Sequence, residues 1–482
     1  MRPRSAIAFG RRGWTGCVLI AGLLGVVAIP AQSFGQPPPR RAPLSDADLV
    51  TAVDAIAAAA MRDRKLPSLS VAVARGSQVV LAKAYGVANV EHAVPAGDRT
   101  VYRIASLSKQ FTAAAILRLV DRKQVSLDDA ISRFVPTLPG PVGEVSIRQL
   151  LNHTSGIRNM TAVPAFGPTT RLDLTDVEVL ALFQNEPPDF AAGTNFLYSN
   201  SPFYLLAMVI ERVTGRSYAD HLQADLFGPF GLTDTLVCDD NRILPRRAQG
   251  YTLDDGGKLR NAEFLSMRTP KGGGNVCSTA RDLVAWSDAL VSGRVLSADS
   301  YRLMTEPGTL RDGRRIAYGF GLFVTERGGR VELSHGGDIP GFTAFMATYP
   351  EERLTVATLT NSDAAAMFDG HVAHEIVRVV SGAVPRSPDA PVDQVPWESI
   401  VGTYRIGSAR IAVGRDGTRL TVKGDESIWQ LWEREFAYRG GSVFAAVGNE
   451  EFRVTLTPLN ERSTHLSITL SGRAFGDAVR VP

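Results

Sequence analysis

Ser106-Leu107-Ser108-Lys109 heads a run, 106–124, that contains no Pro or Gly and repeats apolar residues at helical spacing: Phe111, Ala114, Ala115, Leu117 and Leu119. On a helix Ser106 and Lys109 stand at i and i+3, on one face a turn apart. A serine hydroxyl is a poor nucleophile until a base takes its proton. An amine does so once burial or nearby cations lower its pKa. A serine at a helix start also gains from the positive end of the macrodipole, which favours a developing alkoxide. Ser-x-x-Lys occurs once in the 482 residues, but two fixed positions in four also arise by chance, so the pair is weighed with its surroundings.

Two other stretches bear on it. Tyr198-Ser199-Asn200 follows Ala192-Gly193-Thr194 and precedes a helical run. A tyrosine can shuttle a proton, and an asparagine amide can hold a substrate carbonyl or amide. His335-Gly336-Gly337-Asp338 lies between the β-like run 331–334 and the strand 342–349. Its glycines let a substrate backbone lie against a strand edge, and His335 offers a cationic or hydrogen-bonding group at a site wall. Taken singly, the first reads as a turn with an incidental tyrosine and the second as a hairpin turn.

Taken in this order, the three motifs resemble the signature of the penicillin-recognising serine hydrolases. The resemblance is closest to the class C β-lactamase-like group, with its D-alanyl-D-alanine carboxypeptidases, D-aminopeptidases and esterases. Leu150-Leu151-Asn152-His153-Thr154-Ser155-Gly156, residues 190–215 and 272–286, and Tyr318-Gly319-Phe320-Gly321 look like that group too. The resemblance spans about residues 46–383. It implies an α+β fold: an antiparallel sheet of the β-lactamase/transpeptidase type flanked by helices near 46–64 and 364–380, a mainly helical subdomain, and a site between them. It also implies that Ser106 is acylated, that Lys109 and Tyr198 share base and proton-shuttle work, and that Asn200 binds the substrate's acyl-side amide. His335, Gly336 and Gly337 would line the substrate, and the backbone N–H groups of Ser106 and Asp338 would form the oxyanion hole. Each such donor is worth about 2.7–4 kcal/mol where measured. No cofactor and no metal are implied.

One departure narrows the expectation. Many β-lactamases of the group carry Lys-Thr-Gly where this chain has His335-Gly336-Gly337. Histidine there is similar to some carboxypeptidases, peptidases and esterases, so a β-lactam is expected to acylate Ser106 and leave slowly. The expected reaction is cleavage of an amide or ester through an acyl-enzyme, with D-amino-acid peptides, small esters and β-lactams as candidate substrates. The competing reading is a non-catalytic penicillin-binding or sensor protein that keeps the fold; the intact Ser, Lys, Tyr and Asn set argues against it.

The rest of the chain sets the context. Hydrophobic residues make up 44% and charged residues 21%, which is ordinary globular composition. Residues 1–35 hold four arginines and no acid, so the +3 of the whole chain becomes −1 for the remainder. That near-neutral balance gives no electrostatic reason to expect nucleic acid or an anionic membrane as partner. Residues 1–35 run from basic through apolar (17–29) to small, the order of a secretory signal peptide. The apolar core is short for a ~30 Å hydrocarbon layer, and a single-pass anchor is the alternative. Export to the periplasm or medium is expected. Without Cys17, Cys238 and Cys277 form an even pair: a candidate disulfide in an oxidising compartment, or two buried thiols.

Residues 36–45 read as a Pro-rich linker and 46–64 as a helix capped by Ser45. Runs 69–74 and 78–85 read as a hairpin, 202–214 and 279–290 as helices. Runs 317–325, 331–334, 342–349 and 354–360 read as an antiparallel meander, and 364–380 as a closing helix. After a second linker, 384–396, residues 397–482 alternate apolar and polar in short runs. They read as a separate all-β domain, with Asp416-Gly417 a tight turn, and by position, length and the opening Val401-Gly402-Thr403-Tyr404 it resembles the small β-barrel or lipocalin-like appendages that follow some members of this family. His371 and His374 lack the i,i+4 zincin spacing and read as structural; Trp429 and Trp432 read as core. Oligomeric state is left open.

Overall fold

Ser45 opens helix α1 (Asp46–Arg64) by accepting the N–H of Asp48, and Lys65 closes it in a left-handed conformation. Strands β1 (Ser68–Arg75) and β2 (Gln78–Asn89) follow as a hairpin, then the short β3 (Val94–Pro95). β1 is buried from Ser68 to Ala74, on both faces. Leu69, Val71 and Val73 pack with α1 and the closing helix His371–Ser381. Ala72 and Ala74 face the opposite core, where their small side chains let the helix Ala280–Val291 come close.

This computed structural model describes residues 45–364, 370–381, 391–393, 395–425, 434–440, 443–446, 449–460, 463–470 and 473–481. The expected signal segment 1–35, the expected linker as far as residue 44, most of the expected linker 384–396, Trp429 and Trp432 lie outside the described residues.

After β4 (Tyr102–Arg103) the chain enters a mainly helical region that starts with α2 (Ser108–Asp121). Short strands β5 (Leu236–Val237), β6 (Tyr251–Leu253), β7 (Leu259–Asn261) and β8 (Val276–Ser278) punctuate it; β8 lies between β4 and β5 in a small sheet. The chain then returns as β9 (Phe323–Arg327), β10 (Arg330–Ile339), β11 (Phe342–Tyr349) and β12 (Leu354–Thr360). The main sheet has the order β3-β2-β1-β12-β11-β10-β9, all antiparallel, with β1 and β12 joined in a register that sets Ser70 opposite Leu359. The site-bearing residues therefore come from both sides of the helical excursion.

Two expectations need correcting. The strand read at 317–325 is confined to Phe323–Arg327. Gly319 and Gly321 pass over other backbone: a Cβ on Gly319 would lie 2.2 Å from Met304 O, and one on Gly321 2.7 Å from Lys109 O. The strand read at 331–334 runs on to Ile339, so that His335-Gly336-Gly337 is inside β10 and the hairpin turn comes at Pro340-Gly341. In α2 every residue from Ser108 to Leu117 is buried.

Beneath β10 a buried carboxylate ties the sheet to the closing helix. Glu332 accepts from Tyr349 Oη at 2.5 Å, from His374 Nε2 at 3.1 Å and from Arg327 Nε at 3.2 Å. His374 thus has a partner in the sheet. Among the described residues no group of three His, Cys, Asp or Glu is placed to hold a metal ion.

The C-terminal strands close a barrel: β13 (Gly402–Ile406), β14 (Ala409–Asp416), β15 (Arg419–Gly424), β16 (Arg434–Gly440), β17 (Val443–Ala446), β18 (Asn449–Asn460), β19 (Ser463–Leu470) and β20 (Arg473–Arg480). Gly417, at φ 54°, makes the β14–β15 turn. Eight strands leave an interior just wide enough for side chains, and Ile411, Leu420, Val422, Phe436, Val454 and Leu466 fill it. Among the described residues no helix is long and apolar enough to cross a membrane.

Candidate active site

Ser106 is the one residue between Ile104 and Leu117 that is not fully buried. It sits in a 3-10 turn, Ala105–Leu107, that feeds directly into α2. Ala105 adopts φ 46°, a left-handed conformation that costs about 1–3 kcal/mol unless its surroundings impose it. Ser108 supplies part of that imposition: its hydroxyl donates to Ala105 O at 2.6 Å and accepts the Val276 N–H at 3.0 Å. The second serine of the motif thus holds the turn that presents the first.

Lys109 is fully buried one helical turn away, with Nζ 3.1 Å from Ser106 Oγ. Two further acceptors face that nitrogen at 2.8 Å, Asn200 Oδ1 and Gly273 O. The Tyr198 and Phe203 rings lie 4.7 and 5.4 Å from it. Burial pushes the Lys109 pKa well below the ordinary lysine value. The acceptor set then defines what the amine does. An ammonium donates once to each of the three oxygens. A neutral amine has two N–H groups for the two carbonyl oxygens, which only accept, and its lone pair is left facing Ser106 Oγ.

Tyr198-Ser199-Asn200 is strapped in place before the helix Ser201–Thr214. The Ser199 N–H donates to His153 Nδ1 at 3.3 Å and the Asn200 N–H to Asn159 Oδ1 at 3.0 Å. His153 is wholly buried, its ring 4.3 Å from Tyr198 and 4.8 Å from Tyr318. Burial holds its pKa well down. It is a neutral acceptor that orders the loop. Burial pushes the Tyr198 pKa up, and a hydrogen bond with Ser106 acts in the opposite direction.

The third motif meets Ser106 through backbone. A Cβ on Gly337 would lie 2.8 Å from Ser106 N and 2.3 Å from Ile104 O, so only glycine lets β10 come this close. Strand alternation turns the Asp338 side chain to the other face, leaving its backbone for the site. That side chain is exposed at the strand end. His335 Nδ1 donates to Gly336 O at 2.5 Å, so Nε2 accepts the Tyr318 hydroxyl at 3.0 Å. Burial and the Lys109 charge lower its pKa to about 3. Of the two roles expected of His335, cationic or hydrogen-bonding, the site holds the second, on a neutral ring. Nitrogen NMR of the imidazoles should show His335 in the Nδ1–H form from pH 8 to 5. Linkage gives the matching sign: as pH falls below about 6.5 the unfolded chain takes up a proton that the native site refuses, so this group lowers stability towards acid.

The sequence reading missed Gly273 as a lysine acceptor and Tyr318 as the partner of His335. Both lie in stretches singled out only for family likeness, and no spacing rule marks a carbonyl that folds back onto an amine. Cys238 and Cys277 form a disulfide, Cα atoms 5.3 Å apart, between the end of β5 and β8. Closing a 39-residue separation stabilises by roughly 4 kcal/mol on the chain-entropy model. It also braces β8, whose Val276 O accepts the N–H of Ile104 at the base of the turn that carries Ser106.

The Beta-lactamase family model matches residues 53–380, well over half of the chain. Among curated relatives, a penicillin-binding protein of Bacillus subtilis (strain 168) is 28% identical over 376 residues, covering 73% of this chain and 81% of that protein. A D-aminopeptidase of Gluconobacter oxydans is 29% identical over 360 residues, covering 73% of this chain and 66% of the enzyme. Among solved structures, the D-amino acid amidase of Ochrobactrum anthropi SV3 superposes with a TM-score of 0.59 at 28% identity, over 69% of this chain and 97% of that one. An octameric penicillin-binding protein homologue from Pyrococcus abyssi, 22% identical, shares the fold over 89% of this chain and 100% of its own at a TM-score of 0.62. The chain belongs to the beta-lactamase family, as one of its serine hydrolases.

Proposed function

We propose that this chain is an exported amide hydrolase that forms an acyl-enzyme on Ser106, with D-amino-acid amides or short D-peptides as its substrate class. The observation that carries the reading is the Lys109 amine, buried and held by two obligate acceptors so that its free lone pair meets Ser106 Oγ. Ser106 attacks the carbonyl carbon and its proton passes to Lys109. The backbone N–H groups of Ser106 and Asp338 receive the oxyanion. Collapse of the tetrahedral intermediate breaks the C–N bond, and the leaving nitrogen takes a proton relayed through Tyr198 and Lys109. Water then attacks the ester by the reverse path. Tyr198 stays a neutral phenol because burial raises its pKa, so it relays protons and Lys109 is the base. With the Asn200 amide oxygen committed to Lys109, a substrate meets its Nδ2 donor, which suits an acyl-side carbonyl.

Two features favour amides over β-lactams. His335 is neutral, so that wall carries no fixed cation for a substrate carboxylate. Relatives of similar identity include a D-aminopeptidase and a D-amino acid amidase. Export rests on the order of residues 1–35 and on the Cys238–Cys277 bond. The domains are assigned as 46–383 for the hydrolase and 397–482 for the barrel. The test is intact mass after exposure to a fluorophosphonate, a fluorescent penicillin and D-phenylalanine amide. A fluorophosphonate adduct mapped to Ser106 and turnover of the D-amide, not the L-amide, are expected. Folded protein with no adduct on Ser106 would sink the proposal.

A further inference from the structure

The barrel does not stand apart from the site. Phe196, Tyr198, Tyr318 and Phe323 belong to one apolar cluster with Tyr404 and Ile411 of the barrel. α2 and the helical region pack in a different cluster. The wall of the site that carries the two tyrosines thus shares its core with the barrel.

Backbone and polar contacts lock the same seam. The Ala317 N–H donates to Ala474 O at 3.0 Å, and the Ala474 N–H to Arg315 O at 2.8 Å, a parallel bridge beside Tyr318. Arg314 forms an ion pair with Asp477. On the other side of the wall, Asp189 accepts from the Ser408 N–H at 3.0 Å and the Ser408 hydroxyl at 2.5 Å. Gly407, at φ 57°, lets that turn descend: a Cβ there would lie 2.4 Å from Asp189 Cβ. Asp189 in turn donates its N–H to Gly156 O, at the end of the loop that carries His153.

We propose that the barrel is a positioning clamp for the proton-relay wall: by holding Arg315–Tyr318 and, through Asp189, the loop under Tyr198, it sets how fast protons move at Ser106. The inference rests on the reading of Tyr198 as relay. Displacing a relay by about 1 Å costs up to a hundredfold in rate without touching substrate binding.

The test compares full-length wild type with Gly407→Ala, with Arg314→Glu, and with the charge swap Arg314→Glu/Asp477→Arg. D-alanine p-nitroanilide is the substrate, and Ser106→Ala and Tyr198→Phe are the reference variants. The single seam variants should keep their far-UV circular dichroism. Their kcat should fall about tenfold or more with KM within about twofold, and the limbs of their pH–rate profile should move. The swap should recover most of the rate. Arg314→Glu changes a surface side chain, so the clamp is tested even where Gly407→Ala does not fold. Seam variants with wild-type kcat and pH profile beside an inactive Ser106→Ala would overturn the clamp alone. Wild-type rates in Ser106→Ala would overturn the acyl-enzyme reading and the clamp with it.

Discussion

Ser106→Ala and Lys109→Met should each lower kcat/KM for a D-amino-acid amide by about ten-thousand-fold, and the double variant should be no slower than either. Groups that act as a unit lose their joint contribution when either is removed, and residual catalysis from binding and the oxyanion hole remains. The geometry makes them a unit: Lys109 Nζ is 3.1 Å from Ser106 Oγ, and its other two partners are oxygens that cannot accept the serine proton. A double variant slower by the product of the single losses would show that the two act separately.

The same variant reports the protonation state. The native pKa of Lys109 lies below its unfolded value, so between the two the unfolded chain binds more protons. Stability from this group rises with pH across that window and is lost as pH falls towards the native pKa. Urea unfolding of wild type against Lys109→Met should therefore show the difference moving in favour of wild type from pH 7 to pH 10. The rate has a matching acid limb, because a protonated amine cannot take the serine proton. A flat difference with pH would mean that Lys109 is as charged in the native state as in the unfolded one.

Gly337→Val should be the second large loss: about a hundredfold or more in kcat, with a lowered melting temperature. The added carbon meets Ile104 O at 2.3 Å and Ser106 N at 2.8 Å, both backbone atoms of the strained nucleophile turn. Neither can swing aside as a side-chain end would, so β10 or the turn must shift. On the proposed mechanism either shift moves an oxyanion donor, and one such donor is worth about a hundredfold or more in kcat. Gly97→Ala is the control, since nothing lies within 4 Å of a Cβ there. Equal kcat in Gly337→Val and wild type would remove the close approach of strand and turn from the mechanism.

Much of the site was legible in the chain because local spacing carries it. Ser106 and Lys109 share a face at i and i+3 whatever surrounds them, and Tyr198-Ser199-Asn200 before Pro202 marks a helix entry. The sheet strands were legible at β1, β2, β11 and β12, where apolar runs end in clear turns. The run 317–325 misled, because its aromatic and β-branched residues suit a strand while Gly319 and Gly321 serve a crossing over Met304 and Lys109. The motif His335-Gly336-Gly337 read as a turn for a related reason: glycine marks close approach as readily as reversal.

What the sequence by itself determined was the chemistry on offer: one serine with one lysine a turn away, a tyrosine and an asparagine, and a third motif that lacks lysine. Spacing along a helix and residue type suffice for that. What only the tertiary structure decided was the electrical state of those groups. Burial lowers the pKa of Lys109 and leaves His335 a neutral ring, and Gly273, Tyr318 and the barrel seam reach the site from distant parts of the chain. A pKa depends on the water excluded and the dipoles gathered around a group. Those are set by packing, which no spacing along the chain encodes.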